Sequence, residues 1–199
     1  MTALTYIFDP LCGWCYGAAP AVRALVAAGH AVTLMPSGLF IAPGRTIDAE
    51  FAAYIWSADQ RVAQYTGQEF SETYRTEVLG RPNAPFDSTA ATRAIVAVHR
   101  AEPARKLEAL EAIQRARWVE GRDICDPMTL IGVLDAVGLP TPLPDASLAA
   151  ETRDRVGAAR SLMARLGIEG VPALLIGAAR VLPIGLLFGP REALLAAVA

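Results

Sequence analysis

The chain is poor in cysteine and histidine, with three and two respectively among its 199 residues. So low and odd a cysteine count excludes the disulfide framework of a small secreted domain. His30, His99 and Cys125 are scattered, so no ligand set for structural zinc is visible and no metal is expected. Neither histidine has the partners of a nucleophile–base–acid triad in view. No glycine-rich phosphate cradle of either common spacing occurs. Charge of one sign is also missing: the net charge is −2, with no basic stripe for nucleic acid and no acidic tail for a cationic partner. The longest apolar runs, "VPALLIG" and "VLPIGLLFG", are short and broken by proline and glycine, which argues against a membrane span. No basic, apolar and small-residue leader precedes the first strand-like segment, so the expected location is the cytoplasm.

Apolar residues are plentiful, at 53%, against 19% charged. Much of the apolar fraction is alanine, which points to helix-rich packing in one large domain or two intimate ones. "ALTYIFD" reads as a first strand, and Gly13 to Gly29 as a helix kinked by Pro20. "AVTLMPSG" follows as a second strand, completing a β-α-β opening. From about Arg45 to Gly138 only helical segments are expected: 48–65, 71–79, 88–99, 102–119 and one opened by Asp126-Pro127. "LPTPLPD" is the clearest linker. A long helix over 147–166 with a soft spot at Gly157, two strands in "VPALLIG" and "ARVLPIG", and a final short helix close the chain. Pro183 places the last strand at a sheet edge. The expected fold class is α/β, a small mixed sheet built from residues 1–44 and 146–199, interrupted by an all-helical insertion over 45–145.

"DPLCGWCYG", residues 9–17, carries the chemistry. With three cysteines placed at random, a pair at this spacing would arise only about 3 times in 100. A strand ends near Asp9, a tight turn follows, and a helix begins around Cys12. Unpaired backbone N–H groups and the helix dipole there favour a thiolate, the form that attacks a disulfide. Cys12 is therefore expected to be exposed and nucleophilic. Cys15, one turn on, is expected to be shielded and to resolve the mixed disulfide. Asp9 is the nearby acid, suited to capping the turn or to relaying a proton. Trp14 presents a flat apolar surface for gripping peptide substrates, or fills the first helix turn. Cys125 reads as a lone packed thiol, and Arg45 as a rim contact. Phe51, Tyr54, Trp56 and Tyr65 read mostly as core, with part of the set lining a groove over the cysteines.

"CGWCYGAAP" resembles the active site of the thioredoxin superfamily, including the proline eight positions after the first cysteine. "GIEGVPALLIGAARVLPIG" is similar to the segment carrying that superfamily's cis-proline and hairpin. The helical insertion resembles the DsbA-like branch. More narrowly, "YIFDPLCGWCYG" with "WVEGRDICDP" resembles cytoplasmic FrnE-like proteins identified as disulfide isomerases. The resemblance covers essentially the whole chain and implies a thioredoxin-like fold of the DsbA type. It implies a cis Val171-Pro172 peptide against Cys12, with the Val171 backbone available to pair with an extended substrate. Many members of the superfamily carry a buried acid six residues before the first cysteine, where this chain has Tyr6. Gly13-Trp14 lacks the titratable histidine of DsbA, so the couple is expected nearer the thioredoxin end of the roughly −120 to −270 mV range.

The implied activity is thiol–disulfide exchange on protein or peptide substrates, reducing or isomerising disulfides. No cofactor is required beyond glutathione as a redox partner. Two other functions fit parts of the pattern. Kappa-type glutathione transferases and 2-hydroxychromene-2-carboxylate isomerases share the layout but usually carry serine where Cys12 stands. A peptide-binding or chaperone module would leave the thiols incidental.

Overall fold

The computed structural model describes residues 2–141 and 145–199. The centre of the "LPTPLPD" linker, 142–144, and the first residue lie outside the described residues. Strand β1 (Ala3–Phe8) is the spine of a four-stranded sheet of order β2-β1-β5-β6. It pairs parallel with β2 (Ala31–Pro36) and antiparallel with β5 (Ala173–Ile176), which turns back into β6 (Arg180–Val181) at the edge. Parallel neighbours need a crossover, and the helices between β1 and β2 supply it.

All but the first residue of β1 is buried, as expected of an apolar strand covered on both faces. Alternation divides its side chains. Leu4, Tyr6 and Phe8 join one core with Val22, Leu25, Leu34, Ile95, Leu110 and Leu130. Ile7 faces the other way, onto Ala159, Leu162 and Leu175. Helices of the insertion therefore share a continuous core with the sheet.

The helix expected over Gly13 to Gly29 is divided into α1 (Gly13–Gly17) and α2 (Ala19–Ala27). Pro20 sits in the first turn of α2, where its missing N–H leaves no helical bond unmade. The insertion holds α3 (Ala49–Thr66), capped by Asp48 on Phe51 N, and the short α4 (Glu72–Tyr74), which runs on as a π-helical turn over Arg75–Leu79. After these come α5 (Thr89–Ala101), α6 (Lys106–Trp118) and α7 (Pro127–Ala136), the last capped by Asp126.

The insertion is not wholly helical. Strands β3 (Thr46–Ile47) and β4 (Ala84–Pro85) form a two-residue antiparallel pair, too short to leave an alternating signal in sequence. Helix α8 (Ala146–Leu166) passes through Gly157 without a break, and α9 (Arg191–Val198) ends the chain. No helix of the described residues is long and apolar enough to cross a membrane.

Candidate active site

The end of β1 delivers Asp9 to a fully buried position beneath the cysteine turn. Its carboxylate accepts from Leu11 N at 2.9 Å, Phe40 N at 3.0 Å and Ser88 Oγ at 2.9 Å. Asp9 thus ties the turn to the loop after β2 and to the start of α5. Ser88, the residue before α5, spends its hydroxyl on Asp9, and Asp87 Oδ1 accepts from Thr89 N. Burial pushes the Asp9 carboxyl up, against the three hydrogen bonds that favour its ionised form. None of its side-chain hydrogen bonds among the described residues reaches a thiol.

Cys12 is the N-cap of α1, with extended backbone, and its N–H donates to Asp9 O at 3.1 Å. The expectation that it is exposed needs correction: only 6% of its surface is accessible. Its Sγ lies 3.7 Å from the carbonyl oxygen of Val171, and the Val171-Pro172 peptide is cis. The loop before β5 thus covers one side of the thiol, and on another side Cys12 opens into a cavity. Cys15 is buried against the sheet, and burial, then the neighbouring Cys12 sulfur, push its thiol well above the ordinary range. Tyr6, six residues before Cys12, donates its hydroxyl to Cys15 O at 3.2 Å. Its phenol is itself pushed up by burial, so Tyr6 anchors α1 as a donor.

The cavity beside Cys12 measures about 350 Å³ and lies between the cysteine turn and the insertion. Leu11, Cys12, Gly13 and Trp14 line one side, and α3 with Phe40, Tyr74 and Phe86 the other. Trp14 is 36% exposed at the rim, with ring centroids 5.2 Å from Phe188 and 6.2 Å from Tyr65 in edge-on contacts. The aromatic residues of α3 are less buried than expected: Tyr54 is 65% and Tyr65 69% exposed. Helix α3 is covered on one side only, and these rings stand beyond the covered stripe. Phe51 and Tyr54 line the cavity, while Trp56 packs on Tyr74. Arg45 stacks over Phe51 at 4.5 Å. Cys125 lies elsewhere, its Sγ 3.3 Å from Pro85 O beside β4, with its thiol pushed up by burial.

Sequence reasoning missed Asp59, Tyr74 and Arg117. Asp59 is buried in the cavity wall, and its carboxyl is pushed up to about 6 by burial, against a 2.8 Å hydrogen bond from Tyr74 and the Arg117 charge. A Cβ on Gly13 would stand 2.3 Å from Asp59 Oδ1, so glycine is what lets α3 approach the motif this closely. A signal was present in the spacing. Asp59 lies on the stripe of Ile55 and Val62, and Arg117 four residues after Ile113, both at positions where a charge is unexpected.

The DSBA-like thioredoxin domain profile matches residues 3–190. No curated protein matches the chain. Among solved structures, the cytosolic disulfide reductase DsbM from Pseudomonas aeruginosa is 31% identical, with a TM-score of 0.83 over 98% of this chain and 97% of that one. A structure of the same reductase with GSH matches at 31% identity and a TM-score of 0.82, over 98% of both chains. A 2-hydroxychromene-2-carboxylate isomerase, 16% identical over 98% of this chain and 95% of its own, shares the fold with a TM-score of 0.63. The chain belongs to the DSBA-like thioredoxin family of thiol–disulfide oxidoreductases.

Proposed function

We propose that the protein is a cytoplasmic disulfide reductase or isomerase in which Cys12 attacks and Cys15 resolves. The observation that carries this reading is the unequal setting of the two thiols. Cys12 opens into a cavity, while Cys15 is sealed beneath it and held protonated by burial. In the reductive half-cycle the Cys12 thiolate attacks a substrate disulfide, forming a mixed disulfide and releasing one substrate thiolate. Cys15 then gives up its proton and attacks the Cys12 sulfur, releasing the second thiolate and leaving a Cys12–Cys15 disulfide. Two electrons pass to substrate, and two thiols of a reductant such as glutathione return them.

Val171 flanks the attacking sulfur, where its backbone can pair with an extended segment of a protein or peptide substrate. Gly13 admits α3, Asp9 fixes the turn, Pro172 fixes the loop opposite Cys12, and Trp14 supplies apolar surface at the rim.

Equilibration with a glutathione redox series tests the reading. The native protein is expected to form the Cys12–Cys15 disulfide with a potential of about −200 to −270 mV. Cys15→Ser should accumulate a mixed disulfide at Cys12, and Cys12→Ser should lose turnover. Failure to form the disulfide would defeat the proposal. Glutathione binding without dithiol turnover would move the assignment to the glutathione-dependent isomerases. Equal client binding by Cys12→Ser, in a native protein without redox activity, would favour a chaperone module.

A further inference from the structure

A second cavity, of about 390 Å³, lies between the loop after β2, α5 and α8, and it shares no lining residue with the one beside Cys12. Arg93 reaches it from α5, and Arg153 and Arg160 from α8. No acidic residue lines it, in a protein whose net charge is −2. None of the three arginines has a carboxylate partner among the described residues. Arg93 is half-buried, and its Nε is sealed from water without a hydrogen-bond partner among the described residues. Arg160 is held in place, its Nε donating to Ser37 O at 3.0 Å and its Nη2 to Gly38 O at 2.6 Å. Carbonyls orient a guanidinium but leave its charge uncompensated, and like charges gathered without a counter-charge repel one another. Arg153, Gly157 and Arg160 follow at spacings of four and three along one face of α8. Glycine inside a helix is unfavourable relative to alanine, and a Cβ at Gly157 would meet no protein atom within 4 Å. Nothing in the packing calls for glycine there. Its effect is to leave the α8 backbone bare in the cavity wall, between two arginines, while Ile41, Pro43 and Val156 make neighbouring wall apolar.

We propose that this cavity binds a nucleoside diphosphate, its phosphates held by Arg93, Arg153 and Arg160 and its base lying on the bare backbone at Gly157 and the apolar wall. Three guanidiniums call for about three negative charges, which a diphosphate supplies and a single carboxylate does not. Arg153 and Arg160 leave the helix about 10 Å apart along its axis, a span that suits two linked phosphates better than one. The apolar wall calls for an organic body, which inorganic pyrophosphate lacks. A flat base can lie along a helix that carries no side chain at that point, whereas a branched body cannot. The volume of about 390 Å³ falls in the range of small-molecule sites. The chain has no glycine-rich phosphate loop, so side chains carry the anion here. The site stands apart from the dithiol and does not depend on how Cys12 and Cys15 react.

The test titrates ADP, GDP and UDP calorimetrically into the purified protein, with adenosine and inorganic pyrophosphate as controls. At least one diphosphate is expected to bind about tenfold or more tightly than adenosine, as charge-assisted contacts imply, and more tightly than pyrophosphate. Arg153→Gln, on the surface, should weaken that binding about tenfold. Gly157→Leu puts a side chain into the cavity and replaces a poor helix residue with a good one, so it should abolish binding without lowering the Tm. Thiol–disulfide turnover should be unchanged in both variants. No saturable binding of any of the three diphosphates up to about 1 mM would overturn the site. Equal binding of pyrophosphate or adenosine would do the same. Binding that survives in Gly157→Leu, or that is lost in Arg45→Gln and kept in Arg153→Gln, would put the ligand elsewhere and so overturn it too.

Discussion

Replacing Asp59 with asparagine tests the electrostatics of the cavity wall directly. Asp59 is buried beside Gly13, and burial is the leading reason its carboxyl is pushed up to about 6. A carboxyl raised on folding binds its proton more tightly in the native state than in the unfolded chain. Its contribution to stability is therefore complete below the unfolded value of about 3.9 and is lost as pH climbs through about 6. A rise of about two pKa units corresponds to roughly 3 kcal/mol, the cost of holding the ionised form in the wall at neutral pH. Asparagine keeps an oxygen for the Tyr74 hydroxyl and removes the titration. Urea unfolding of native protein and Asp59→Asn, from about pH 4 to pH 7.5, should show the variant gaining on the native protein by roughly 2 kcal/mol across that window, the remainder having been lost below pH 4. The absolute offset depends on how Arg117 responds, whereas the pH slope of the difference depends on Asp59 alone. A difference that stays flat with pH would refute the reasoning.

Other outcomes follow from the same contacts. Gly13→Ala should destabilise by about 1–3 kcal/mol, because the new methyl meets Asp59 Oδ1 at 2.3 Å; an unchanged urea midpoint would show that α3 yields freely. Tyr6→Phe removes the hydroxyl that donates to Cys15 O and should lower the Tm by about 2–4 °C, the effect of losing about 1 kcal/mol in a protein of this size. A melt superimposable on the native one would leave that bond without energetic weight. Trp14→His puts a titratable group between the thiols and should make the couple more oxidising, read as a less negative potential in a glutathione redox series; an unchanged or more negative potential would remove Trp14 as the reason for a reducing poise.

Much of the fold was legible because its signals are local. Asp126 opens α7 through a cap that involves only its next few residues, Met128 and Thr129. The paired strands β3 and β4 were not legible, since two residues cannot display a period. The exposure of Cys12 was misjudged for a related reason: its cover comes from Val171, 159 residues away. Asp59 and Arg117 were visible as charges on apolar stripes, yet nothing local says that both stripes meet at one cavity.

The sequence by itself determined the closely spaced Cys12–Cys15 pair, its place at a strand end before a helix, and the family to which the chain belongs, because spacing and turn chemistry are short-range properties. Only the tertiary structure decided which residues surround those thiols. It closed Cys15 beneath Tyr6, set the Val171 carbonyl on Cys12, drew Asp59 against Gly13, and buried Arg117 in a wall where its guanidinium has no hydrogen-bond partner among the described residues. Burial is a property of the packed chain, and burial is what pushes the Cys15 thiol and the Asp59 carboxyl up and leaves the Arg117 guanidinium unmet among the described residues.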